Sequence, residues 1–135
     1  MVTPEKVPEW WCSTTIRISH PDLDPTKVSE LLNATPQIAQ CPGESRVPHG
    51  ECRSAGYWCV EHRVDAPERP SVALSWAEEF SRLRETQLCQ LLKWGYHVDI
   101  YVAVFSNVLA LGFNVPPTPT ICRLGIPLGL ELFSS

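Results

Sequence analysis

Period-two and period-3.6 segments succeed one another along the chain. Thr14-Thr15-Ile16-Arg17-Ile18-Ser19 alternates polar and apolar side chains, which predicts a short strand with Ile16 and Ile18 on its buried side. A helix is predicted next, over 25–32. Asp24 stands at its N-cap and Pro25 at the first helical position, where no N–H is needed; Val28, Leu31 and Leu32 make one apolar stripe, and Asn33 and Pro36 end it. Gly56 to Val64 predicts a second strand. Ser75-Trp76-Ala77-Glu78 has the form of a capping box, and Trp76, Phe80, Leu83, Leu88, Leu91 and Trp94 recur at helical spacing. One principal helix is therefore expected to run from there to Trp94, with Gly95 as its stop. His97 to Phe105 carries β-branched residues at alternate positions, the strongest strand signal in the chain. Ser106-Asn107 predicts a tight turn into an antiparallel hairpin partner over 108–115. A short helix with Thr118 as cap, Pro119 as start and Gly125 as stop then precedes a last strand over 128–132.

The remaining stretches lack periodicity. Residues 1–13, with Trp10 and Trp11, read as an N-terminal arm whose rings cap the core, and 36–55 reads as a long surface loop. Residues 14–135 then form a single α+β domain, a mostly antiparallel sheet of about five strands with three helices on one face. The length of 135 residues and the apolar share of 44% fit one domain with a real core. No apolar run is long enough to cross a bilayer, and Met1 to Lys6 leads into prolines and a glutamate, so a soluble, cytoplasmic protein without membrane contact is expected. Eleven basic against fifteen acidic residues, a net charge of −4, disfavour bulk nucleic-acid binding, which needs a dense basic patch.

Six cysteines in a small exported chain would suggest disulfides. With no export signal, and with Cys12, Cys41, Cys52, Cys59, Cys89 and Cys122 widely spread, reduced thiols are the expectation. His49-x-x-Cys52 and Cys59-x-x-His62 are two pairs at chelating separation, the raw material of a tetrahedral zinc site. Cys59 and His62 fall on one predicted strand, however, where residues three apart point to opposite faces. No metal or other cofactor is expected, and a zinc-bearing binding module is kept as an alternative.

Alternation also sorts the strands by face. With Ile16, Ile18, Trp58, Val60, Val98, Ile100, Val102, Val104, Leu109, Leu111, Phe113, Leu128, Leu130 and Leu132 toward the helices, the opposite face carries Arg17, Tyr57, Glu61, Arg63, Asp99, Tyr101, Phe105, Asn114, Glu131 and Phe133. A solvated sheet face with weak cross-strand ion pairs is one reading. The other takes Arg17, Tyr57, Glu61, Arg63, Asp99 and Tyr101 as partner-binding residues, since aromatic and arginine side chains on a rigid sheet are the usual anchors of a protein interface. A base-stacking face is disfavoured by Glu61, Asp99 and Glu131, which would repel phosphate. Asp22 with Asp24 could be a carboxylate pair but is explained as turn former and helix cap; His97 and Asp99, two apart on one strand, are the pairing on which a small hydrolase would centre, and no nucleophile, phosphate loop or metalloprotease helix accompanies them.

Ile16-Arg17-Ile18-Ser19, Asp22-Leu23-Asp24-Pro25, Val28-x-x-Leu31-Leu32, Gly56-Tyr57-Trp58, and Leu124-Gly125 before Leu128-Gly129-Leu130-Glu131-Leu132 together resemble the bacterial and phage-borne domain-of-unknown-function family numbered 4279, over roughly residues 14 to 133. The second loop is poorer in glycine than that pattern, the central helix shorter, and the Phe133-Ser134-Ser135 ending different. The resemblance implies an α+β fold and no assigned chemistry. It also implies, by association with small families of this kind, an immunity or inhibitor protein. The expectation is a non-enzymatic module that occludes a larger protein partner, with a homodimer left open.

Overall fold

The structure, a computed structural model, describes residues 9–42, 55–64, 66–107 and 113–134. Its elements are β1 (Trp10–His20), α1 (Pro25–Leu32), β2 (Ile38–Gln40), β3 (Gly56–Arg63), α2 (Pro70–Leu83), α3 (Glu85–Lys93), β4 (His97–Ser106), α4 (Pro119–Leu124) and β5 (Leu128–Ser134). The strands form one five-stranded sheet in the order β2-β3-β1-β4-β5. Three of the four pairings are antiparallel, and β5 lies parallel to β4. The fold is α+β with a mostly antiparallel sheet, as the alternation predicts.

β1 is longer than its alternation suggests, because Trp10 to Ser13 also pair, with β4 on one side; Ser13 pairs β3 as well. The two tryptophans of this extension part company. Trp10 packs against the core, edge-on to Phe113 at 5.8 Å, while Trp11 points to the other face. Cys12, Thr14, Ile16 and Ile18 are buried on β1, and Trp58, Val98, Ile100, Val102 and Val104 meet them from β3 and β4. The helices cover this side: Val28 and Leu32 of α1, Ala73, Leu74, Ala77 and Phe80 of α2, Leu88 and Leu91 of α3, and Ile121 of α4 complete the core.

Helix α1 forms as expected. The Asp24 carboxylate accepts from the Thr26 N–H at 3.0 Å, and Asn33 ends the helix in the left-handed region at φ 50°. Trp58, fully buried, donates its indole N–H to Ser29 Oγ of this helix. The principal helix, however, divides. It begins at Pro70, not at Ser75, and breaks at Arg84 into α2 and α3, so the described residues form four helices in place of three. Ser75 and Glu78 lie inside α2 and make no capping box. Glu78 instead caps a different helix, accepting the N–H groups of Thr120 and Ile121 at the start of α4. Thr118 makes no side-chain cap there. Leu83, the last residue of α2, and Trp94, just past the end of α3, are exposed, although their spacing assigns them to the buried stripe.

Two strand expectations change. Ile38–Gln40, inside the stretch read as loop, pairs with β3 as an edge strand. The hairpin partner of β4 is not formed by 113–115, which carry no strand; 108–112, including Leu109 and Leu111, lie outside the described residues. For 113–115 the physical reason is occupancy: β4 is paired with β1 on one edge and with β5 on the other.

Two packing constraints are testable by urea unfolding. A β-carbon at Gly56 would sit 2.7 Å from Leu23 Cβ and 3.0 Å from the Leu23 carbonyl, so Gly56→Ala should destabilise by about 1–3 kcal/mol, as overpacked sites do. Arg84 reaches across to α1, donating to the carbonyls of Leu32 (2.7 Å) and Asn33 (3.4 Å) while its guanidinium lies 3.9 Å over the Phe80 ring. Arg84→Ala, which strips those terminal carbonyls of a charged donor, should cost about 2 kcal/mol.

Candidate protein-binding face

All six residues assigned to the interface by alternation lie on the sheet face away from the helices. They occupy odd positions of β1, β3 and β4, while the buried cluster takes the even ones. Arg17 and Asp99 are directly opposed and form a bidentate pair, Nε to Oδ1 at 2.6 Å and Nη2 to Oδ2 at 2.9 Å. The bond to Asp99 pushes the Arg17 pKa up, so the guanidinium is charged at every working pH. The same guanidinium stands 5.1 Å from the Tyr101 ring centre. Partial desolvation, then a hydrogen bond with Glu131, raise the Tyr101 phenol pKa. Arg17, Asp99, Tyr101 and Glu131 thus form one connected group.

Glu61 belongs to the neighbouring row, across Thr15 from Tyr101, and accepts from the Ser13 hydroxyl at 2.8 Å. Tyr57 and Arg63 stand near opposite ends of β3, about 20 Å apart at strand rise, so they flank the central group without touching each other. Alternation does not find the aromatic row of this face where it enters β1. Trp11, Phe105 and Phe133 are in register across β1, β4 and β5, and the rings of Phe105 and Phe133 stack at 4.9 Å. Phe105 and Phe133 were assigned to this face by alternation; Trp11 was not, because the apolar pair Trp10-Trp11 masks the period of two.

The other candidates separate in space. Cys59 is buried on the open face, whereas His62 lies on the helix side, so this pair cannot hold one ion; His49 and Cys52 lie outside the described residues. Among the described residues no group of three or more His, Cys, Asp or Glu side chains could hold a metal. His62 instead stacks on Trp76 at 4.9 Å and shares a 3.1 Å hydrogen bond with the buried Glu68. Glu68 anchors the turn before α2: its N–H donates to the Trp10 carbonyl and its carbonyl accepts from the Cys12 thiol. His97 is exposed at the start of β4, and both oxygens of Asp99 are taken by Arg17. On the helix side, a cleft of about 410 Å³ lies between α1 and α3, lined by Lys27, Val28, Glu30, Leu31, Leu91, Trp94 and Tyr96. None of the six assigned residues borders it.

Comparison with family models, with curated proteins and with solved structures finds no match in any of the three. No helix among the described residues is long and apolar enough to cross a membrane.

Burial, followed by the charge of Glu68, pushes the Cys12 thiol up from its ordinary 9.0 to about 11. The folded chain therefore holds a proton between those values that the unfolded chain has lost. Stability from this group is complete below pH 9 and falls as pH rises toward 11. The urea midpoint should decline over that window, and Cys12→Ala should flatten the decline. In the native state a thiol reagent should label the exposed Cys41 and Cys122 quickly, and Cys12 and Cys59 only on unfolding.

Proposed function

We propose that this chain is a cytoplasmic, non-enzymatic protein-binding module of the inhibitor, immunity or anti-defence type, which occludes a larger protein with its open sheet face. The observation that carries the reading is the combination on one rigid face of an aromatic row, Trp11, Phe105 and Phe133, and the ordered Arg17–Asp99–Tyr101 group beside it. Aromatic and arginine side chains held in fixed rotamers lose little entropy on docking, which makes them efficient anchors. Charges of both signs within the row spacing favour a protein with a complementary pattern over a uniformly charged polymer. The resemblance to family 4279 is consistent with this use and adds no chemistry of its own. A hydrolase at His97 and Asp99 is less well supported, because the Asp99 carboxylate is committed to Arg17.

The test is site-directed. A photo-crosslinking side chain at Tyr101 should capture one protein in the native host, while the same group at Trp94, on the helix side, should not. Arg63→Ala combined with Tyr101→Ala should weaken binding of the purified partner about tenfold or more. Equal capture from both positions, or unchanged affinity in the folded double variant, refutes the reading.

A further inference from the structure

The two edges of the sheet are built differently. β2, at one edge, is three residues long and is followed at once by Cys41 and Pro42, the usual protection of an edge against further pairing. β5, at the other, runs seven residues, Leu128–Ser134, with no proline, no basic residue and one charge, Glu131. It carries exposed apolar side chains on both sides. Leu130 and Leu132 are 40% and 64% exposed on the helix side, and Phe133 is 40% exposed on the other. Among the described residues no strand pairs with its outer edge.

The pairing with β4 fixes which backbone groups point outward. The Ile100 N–H donates to the Pro127 carbonyl at 2.9 Å. The N–H and C=O of one strand residue point the same way, and successive residues alternate. Gly129, Glu131 and Phe133 therefore turn their backbone groups to β4, and Leu128, Leu130 and Leu132 present theirs to the free edge.

We propose that β5 pairs antiparallel with β5 of a second copy of this chain, across a two-fold axis perpendicular to the sheet at Leu130. Such an axis keeps the helix side of one copy level with the helix side of the other, and it joins the outward groups of the three leucines to their counterparts. Leu130 then faces its own copy and Leu128 faces Leu132, an unbroken apolar row beneath the junction. Each Glu131 comes opposite Gly129, which has no side chain to collide with it. Moving the axis one residue, to Glu131, would oppose two carboxylates about 5 Å apart, which is repulsive. The single glycine and the single charge of β5 stand two residues apart, the spacing this axis brings together, and that self-complementarity selects a second copy over an unrelated strand. The result is one continuous sheet, five strands from each copy, with the two open faces side by side. This inference does not depend on the proposed function of that face.

Sedimentation equilibrium over a concentration series tests it, with circular dichroism to confirm folding. The chain should dimerise reversibly. Leu130→Lys, at a partly exposed position, should weaken the dimer about tenfold or more by opposing two ammonium groups. Gly129→Lys, whose β-carbon meets the Tyr101 ring at an ordinary 3.8 Å, should tighten it by facing Glu131 of the other copy, and adding Glu131→Lys should reverse that gain. Without any substitution, the amides of Leu128, Leu130 and Leu132 should be protected from hydrogen exchange at high concentration and lose protection on dilution. A monomer at every concentration overturns the proposal, and so does a dimer indifferent to both lysine substitutions or exchange at these amides that ignores concentration.

Discussion

β1 is hydrogen-bonded along both edges, antiparallel to β3 and to β4, and every other element is positioned by that double pairing. Its even residues, Cys12, Thr14, Ile16 and Ile18, are buried, and its odd residues make the middle of the open face. A slip of one residue on either side would exchange the two sets, so burial of the isoleucines penalises any other register. Arg17 and Asp99 lock the same alignment from the opposite face, since their fork-to-carboxylate geometry exists only where the two residues are directly opposed. The core and the candidate site are thus two readings of one register.

α1, α3 and α4 are short, and long-range polar contacts hold the ends of the helices. α4 has six residues, too few to persist alone, and its first amides are satisfied by Glu78 of α2. α1 has eight, and Arg84 takes up the carbonyls at its end. The break between α2 and α3 places Arg84 where it can reach them. Glu68 does comparable work at the other end of α2, tying the preceding turn to Trp10, Cys12 and His62. These contacts join residues 42 to 58 positions apart in most cases, and they hold the layer of helices over the sheet.

The chemistry of the molecule follows from the same placement. Burial raises the Cys12 pKa, which removes it as a nucleophile, and Asp99 is occupied by Arg17. His62 is enclosed between Trp76 and Glu68. Among the described residues, one sheet face presents an aromatic row and a charged group, and a leucine-bearing edge strand lies beside them.

Much of this was legible from local pattern. Alternation located β1, β3, β4 and β5 and assigned Arg17, Tyr57, Glu61, Arg63, Asp99 and Tyr101 to one face, because side-chain direction in a strand has a period of two whatever surrounds it. Asp24, Pro25, Asn33 and Gly125 marked helix ends through their own backbone chemistry. What local pattern could not decide was which element each signal serves. Ser75 to Glu78 has the letters of a capping box, yet Glu78 caps a helix 42 residues away. Ile38–Gln40 is a strand only because β3 offers it an edge, and 113–115 are not one because β4 has none left. Leu83 and Trp94 fit the apolar stripe of one long helix, yet they stand exposed at the ends of two separate ones. Periodicity and capping are properties of a few consecutive residues, so the sequence alone determined the elements and their faces. Edge occupancy, helix breaks and capping at a distance depend on what lies alongside in space, and only the tertiary structure decided them.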